Sequence, residues 1–201
     1  MSLNRRQQIG SWVGIFAVVG AVVSPVIASA ASQTASTTIN ATIGSTISVS
    51  TSTTVAIALT PTAGGVVSSN SDAVAVSTNN ALGYILQLAD SDATVNLVNG
   101  ASNITPSAAS FATPAALTND KWGFAVAGLG TFDASYSAET SNGSSTSKWA
   151  PVSGTGPGNT IRTTATTASA QVTTVWYGVK ATTALPNGTY SDTVTYTATT
   201  N

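Results

Sequence analysis

The chain has 201 residues, with six basic and seven acidic side chains and neither cysteine nor histidine. This composition excludes disulfide bonds, cysteine nucleophiles, histidine-based triads and zinc sites built on histidine or cysteine. With so few cations, we expect no nucleic-acid partner, since tracking phosphates needs many lysines and arginines.

The first 30 residues have the order of a secretory signal peptide. Two arginines precede an apolar stretch at 12–23, and Ala28 and Ala30 form an A-x-A cleavage motif. We therefore predict a signal helix, cleavage after Ala30 and export by the general secretory route. The alternative is an uncleaved membrane anchor, because the apolar run at 9–31 could span a bilayer, which takes about 20 residues.

Cleavage after Ala30 leaves 171 residues with four basic and seven acidic side chains, a net charge of −3. We predict a flexible leader over 31–38 and one domain over 39–201, long enough for a sizeable core. Only 6% of the whole chain is charged, against about 25% in ordinary soluble domains. Serine and threonine hydroxyls are expected to hydrate the surface in place of charged groups. This composition is typical of β-rich proteins that are extracellular or on the cell surface.

Within the predicted domain, apolar and polar residues alternate with period two, the pattern of β-strands. The alternation predicts strands at 43–49, 55–59, 72–78, 84–88, 95–97, 122–126, 172–180 and 189–199. The turn at 79–83 contains asparagine and glycine and predicts a hairpin between the strands on either side of it. The stretch at 107–117 holds one short helix or none, and 127–160 is predicted to form long loops around one short strand near Trp149.

About seven to nine strands without a convincing amphipathic helix predict an all-β fold. Each strand has one inward face, which a second sheet must cover. We therefore predict a single immunoglobulin-like antiparallel β-sandwich of about 7–9 strands after the signal helix.

The C-terminal stretch contains VWYGVK at 175–180 and LPNGTYSDTVTY at 185–196. It resembles the closing hairpin of secreted immunoglobulin-like surface modules, in which a P-x-G-x-Y-x-D-x-V turn starts the last strand. The spore coat U family, which comprises archaic chaperone–usher pilus subunits, ends in a similar way but normally carries cysteines. Together with VSTNNALGY at 76–84, the chain is similar to uncharacterised exported β-sandwich surface proteins of very small bacteria. The resemblance implies a cell-surface role and no particular ligand.

Three aspartates are candidate metal ligands. If the strands around the 79–83 turn pair as a hairpin, Asp72, Asp90 and Asp92 lie near one rim, and Ca²⁺ prefers such hard oxygen ligands. The alternative is that these residues solubilise strand ends and start turns. We expect no other cofactor and no enzyme activity, since Glu139 is the only glutamate and glycosidases need two carboxyl groups in one cleft.

Tryptophans are the other candidate contacts, since an exposed indole can stack on a sugar or anchor an interface. Trp149 lies among small and polar residues and is predicted to be exposed. Trp176 is predicted to lie on the opposite face of its strand from Val175 and Tyr177, whereas Trp122 is assigned to the core.

These patterns favour a non-enzymatic structural or adhesive surface protein. Its edge strands could pair with a second copy, with the lead-in at 31–50 adding to a neighbour's sheet. The alternative is a carbohydrate- or receptor-binding module that uses the exposed tryptophans to hold a host or cell-surface ligand. Membrane contact is expected only through the signal segment during export.

Overall fold

The computed structural model describes residues 32–92 and 94–201. The predicted signal helix and its cleavage motif at Ala28 and Ala30 lie outside the described residues. The chain divides into two units, Met1–Ala41 and Thr42–Asn201. All the β-structure described below belongs to the second unit.

The second unit is all-β, and no helix occurs in the described residues. Its eleven strands are β1 (Ile47–Ser50), β2 (Val66–Thr78), β3 (Tyr84–Asp90), β4 (Leu97–Asn99), β5 (Ser102–Pro106), β6 (Ala115–Ala116), β7 (Lys121–Val126), β8 (Lys148–Trp149), β9 (Asn159–Thr163), β10 (Ala168–Ala181) and β11 (Val194–Thr200). The prediction of an all-β fold is confirmed.

The largest sheet has six strands in the order β1-β2-β10-β7-β5-β4. Its centre is the long antiparallel pairing of β2 with β10, which runs from Thr78 opposite Ala168 to Val66 opposite Ala181. The prediction that every pair is antiparallel is wrong, because β5 and β7 run parallel. The chain between them, residues 107–120, crosses over and returns in the same direction.

A three-stranded antiparallel sheet in the order β11-β3-β9 packs on one face of the large sheet. The inward residues of β3, namely Tyr84, Leu86 and Leu88, are completely buried in the same core as Val74 and Val175. Polar contacts between tyrosines and their partners also join these layers. The hydroxyls of Tyr177 and Tyr196 lie 2.7 Å apart, and the Tyr84 hydroxyl donates to Gln171 Oε1 at 3.0 Å.

The turn at 79–83 is present, but it does not close a hairpin. The Gly83 N–H donates to the Asn80 carbonyl at 3.0 Å, and Gly83 has a φ of +81°. The turn joins β2 in the large sheet to β3 in the small one, because β1 and β10 already occupy both edges of β2. The predicted pairing is therefore wrong, since the two strands face each other across the core.

The predicted strand at 55–59 has the expected alternation of buried and exposed side chains, but in the described residues it pairs with no other strand. Val55 and Ile57 are half-buried and their neighbours are exposed. Side chains take the backbone groups that a neighbouring strand would bind: Asn70 Nδ2 donates to the Ala56 carbonyl at 2.9 Å, and Thr60 N–H donates to Ser141 Oγ at 2.9 Å. Side-chain contacts thus replace strand pairing in this segment.

Trp149 lies against two glycines of the large sheet. Gly123 and Gly178 are directly opposite each other in β7 and β10. A Cβ at position 178 would lie 2.7 Å from carbons of the Trp149 ring. The edge of Tyr136 meets the same indole, with ring centroids 5.4 Å apart. The pair of glycines therefore makes the space that the indole fills.

We predict that Gly178→Ala lowers the free energy of unfolding by about 1–3 kcal/mol, because the rigid indole cannot move away from the new methyl group. Chemical denaturation measures this change. Gly143→Ala is the matched control, since a Cβ there would meet nothing within 4 Å, and its effect should stay within about 0.5 kcal/mol. Equal effects of the two substitutions would contradict this description of the Trp149 site.

Candidate functional site

Strand β1 is the first strand of the large sheet, and the described residues place no strand on its outer edge. The segment before it is held extended by side chains and not by a ladder. Asn79 accepts from the Thr46 N–H at 2.7 Å and donates to the Gly44 carbonyl at 2.9 Å. Two large apolar side chains of the lead-in are exposed to solvent, Ile39 by 89% and Ile43 by 85%.

The core is incompletely covered between β1 and β11. Val49 is directly opposite Val76 in β2 and so points to the core side, yet it is 40% exposed. On β11, the core-side residues Val194, Tyr196 and Ala198 are only half-buried. Separately, an open pocket of about 300 Å³ lies at the start of β1, between β1 and the ends of β2 and β10. An accessible strand edge and accessible apolar surface thus occur on the same side of the molecule.

Asp72 lies in the middle of β2 and is 3% exposed. Its carboxylate accepts hydrogen bonds from the Thr51 hydroxyl and, at 3.1 Å, from the Ser52 N–H. Burial acts to raise the pKa of this carboxyl, but hydrogen bonds from Thr51, Ser52 and Tyr196 outweigh burial, and the pKa is lowered. Asp72 is therefore a hydrogen-bonded buried anion that fixes the segment after β1.

Asp90 and Asp92 lie together at the end of β3. Asp90 Oδ1 accepts from the Asp92 N–H at 2.8 Å, and Asp92 Oδ1 accepts from the Thr94 N–H at 2.6 Å. Such contacts are typical of aspartates that start turns. These turn contacts engage one oxygen of each carboxylate.

A residue that the sequence analysis missed, Asp192, joins them. Burial first, and then the negative charges of Asp90 and Asp92, raise the pKa of Asp192 to about 6. Asp192 is the aspartate of the P-x-G-x-Y-x-D-x-V stretch, two residues before Val194, which pairs with Asp90. The motif contained the signal, but only the pairing of β11 with β3 shows which carboxylate it meets.

The structure places the three predicted metal ligands in two different surroundings. Asp90 and Asp92 are neighbours of Asp192, whereas the Asp72 carboxylate is bound by Thr51, Ser52 and Tyr196. In the described part of the chain, no group of three or more His, Cys, Asp or Glu residues is placed to hold a metal ion. Calcium binding stays a prediction, and its geometric premise, the hairpin between β2 and β3, is absent.

The prediction that Trp149 is exposed is wrong: the residue is 1% exposed. Its polar neighbours in sequence suggested a loop, but its ring is covered by β7 and β10. Trp176 is half-buried and lies on the opposite face of β10 from Val175 and Tyr177, as predicted. Trp122 is buried, as predicted, and its Nε1 donates to the Val95 carbonyl at 3.0 Å.

Comparison with known proteins does not add a relative. No protein-family model, curated protein or solved structure matches this chain. Within residues 32–92 and 94–201, the structure contains no helix long and apolar enough to cross a membrane.

We predict that Asp72→Asn lowers the free energy of unfolding by about 1–3 kcal/mol at pH 7, since a buried charge-assisted network is lost. Because the pKa of Asp72 is lowered in the folded protein, its carboxylate stabilises the fold at pH values above its ordinary pKa of 3.8. This contribution disappears as the pH falls through the lowered pKa. The difference between wild type and variant should therefore shrink below about pH 4. Urea denaturation from pH 7 to pH 2 measures it, with Asp133→Asn, a partly exposed aspartate, as the control. A difference that grows toward acid pH would contradict the prediction.

Proposed function

We propose that this protein is an exported, non-enzymatic surface protein that assembles with copies of itself by strand addition. The observation that carries the proposal is the uncharged segment that leads into the edge strand β1, in which Ile39 and Ile43 are exposed to solvent. Its residues from Ile43 onward continue the period-two pattern of a strand, yet only Ile47–Ser50 pair with β2.

Within the all-β class, we propose that the fold is an immunoglobulin-like sandwich. The six-stranded and the three-stranded sheet face each other across one core, which is the arrangement of that class. The Tyr190 hydroxyl donates to the Pro186 carbonyl, four residues upstream, at 3.0 Å. A tyrosine that bonds back to the backbone at the corner before a late strand is a hallmark of immunoglobulin-like sandwiches.

The lead-in lacks the devices that normally protect a strand from pairing with another molecule. Soluble proteins protect such edges with charged residues, proline or bulges. Residues 32–50 contain neither a charged residue nor proline, and they are rich in β-branched threonine and isoleucine. In an isolated molecule, Ile43 is exposed to water, and burying one isoleucine contributes about 1.5–3 kcal/mol. This segment is therefore suited to entering a neighbour's sheet.

We propose the edge of β11 that is not hydrogen-bonded to β3, in a second copy, as the acceptor. The core-side residues of β11 are half-buried, so an added strand would cover them. Residues 39–46 in extended form span about 26 Å, and the seven residues of β11 span a similar length. Main-chain hydrogen bonds would supply the affinity. Ile39 and Ile43 are four residues apart, so they would lie on one face of the added strand and set its register.

The signal sequence and the composition support a non-catalytic role outside the cytoplasm. The signal sequence predicts export, and the low charge and high serine and threonine content suit a surface layer. A sugar-binding role is not proposed, because Trp149, its main candidate residue, is buried.

We predict that the protein recovered after export sediments as a mixture whose mean mass rises with concentration. Ile43→Ser should weaken this assembly at least tenfold, since each 1.4 kcal/mol is a factor of ten in the association constant. Leu82→Ser is the matched control, because Leu82 is 66% exposed but lies in the turn before β3, and it should assemble like wild type. A wild-type protein that is monomeric at every concentration would overturn the proposal, and so would Ile43→Ser assembling normally.

A further inference from the structure

Three buried oxygen atoms without a hydrogen-bond partner belong to residues around the end of β3. They are Asp90 Oδ2, Asp192 Oδ2 and Ser153 Oγ. Among the described residues only one other buried side-chain polar atom, Trp149 Nε1, lacks a partner. Buried polar groups are almost always bonded, so three such oxygens in one neighbourhood point to a ligand.

The backbone brings these residues together. Asp90 is the last residue of β3 and is 3% exposed. Its N–H donates to the Ser153 carbonyl at 2.8 Å, and its partner in β11 is Val194, two residues after Asp192. The carboxyl groups of Asp90 and Asp192 are within hydrogen-bonding reach of each other.

Each of the two carboxylates has one oxygen engaged and one free. Asp90 Oδ1 accepts from the Asp92 N–H at 2.8 Å, and Asp192 Oδ1 accepts from the Thr193 N–H at 2.7 Å. These turn contacts fix the orientation of both side chains. The Oδ2 atoms are therefore left as buried, fixed acceptors that no donor in the described part of the chain reaches.

Among the described residues, no lysine or arginine forms a salt bridge with this pair. The described residues contain one salt bridge, between Lys148 and Asp133 at 3.9 Å. Two adjacent carboxylates removed from water repel each other and lose hydration, and an opposite charge is needed to offset that cost. The atoms available to a metal ion are all hard oxygens, with no nitrogen or sulfur among them, and Ca²⁺ prefers such ligands.

We propose that Asp90 and Asp192 bind a Ca²⁺ ion through their free Oδ2 atoms, with the Ser153 hydroxyl as a neutral oxygen of the same site. The site differs from the one predicted from sequence, because Asp192 takes the place of Asp72. It uses two carboxylates and a hydroxyl, so it is consistent with the lack of a three-carboxylate group in the described residues. Water would complete the six to eight oxygens that Ca²⁺ takes.

The position of Asp192 gives the ion a structural consequence. Ser191 is bridged to Val98 of β4 in the large sheet, and Val194 pairs with Asp90 in the small sheet. Asp192 thus lies where the chain passes from one sheet to the other. Ca²⁺ would fasten this crossing to the end of β3, and it would do so in a single molecule, independently of the proposed assembly.

The test is calorimetric titration of CaCl₂ into the full-length protein after treatment with EDTA, together with melting curves with and without Ca²⁺. We expect a dissociation constant of about 10⁻⁴–10⁻³ M, as in extracellular calcium modules, and a higher melting temperature with Ca²⁺. Asp90→Asn and Asp192→Asn should each weaken binding at least tenfold, whereas Asp133→Asn should bind like wild type.

A second measurement separates loss of the site from loss of the fold. Without Ca²⁺, Asp192→Asn should melt at or above the wild-type temperature, because it removes one of two facing charges. The proposal is overturned if wild type shows no Ca²⁺ binding up to about 10 mM, tenfold above the range of extracellular sites. It is also overturned if the Ca²⁺ response survives in both aspartate variants, or if melting responds to pH but not to Ca²⁺, as a pair that merely shares a proton would.

Discussion

The antiparallel ladder between β2 and β10 is the interaction on which the rest of the structure depends. From Val76 opposite Gln171 to Val66 opposite Ala181 the pairing is continuous. β1 attaches to the free edge of β2 and β7 to the free edge of β10. The small sheet packs on Val74 and Val175 of this ladder, whereas Trp149 packs on its other face against Gly178. Without cysteine, the fold depends on such pairing and on burial of apolar side chains.

This dependence explains why the centre of the large sheet and its β1 edge differ in how firmly they are held. Residues near the ladder have partners on both sides, so their backbone groups are satisfied. At the edge, β1 pairs over four residues, and the chain before it is held by Asn79 and by little else. A strand that carries no charge and pairs over only four residues can exchange its partner for another copy of the chain. The proposed assembly therefore uses the part of the sheet that contributes least to the fold.

The sequence predicted the strands whose two faces meet different surroundings. Alternation identified much of β2, β3, β7, β10 and β11, because each has one face in the core. It missed β9, in which Ile161 is the only fully buried residue and Arg162 reaches across to the Val172 carbonyl at 2.9 Å. It also placed Trp149 at the surface, because the glycines that cover it lie in two other strands. Local pattern reports which side is apolar, but it does not report which strand lies beside which.

Because local pattern does not show which strands are neighbours, the sequence also predicted the wrong third aspartate beside Asp90 and Asp92. Asp90 and Asp92 are close in sequence and were identified together, but their third partner was chosen by assuming a hairpin between β2 and β3. The structure pairs β3 with β11, which brings in Asp192 from about a hundred residues away. Turn chemistry at Asn80 and Gly83 was readable from sequence because it is local. The sheet to which each strand belongs was not, because long-range packing decides it.

Native-state hydrogen exchange tests the central role of the ladder most directly. If β2 and β10 hold the fold together, the amides that form hydrogen bonds between these two strands should be the most protected. They should exchange only through global unfolding. The amides of β1 and of residues 51–61 should exchange earlier, through local opening. Amides of β2 and β10 that exchange as fast as those of β1 would contradict the account.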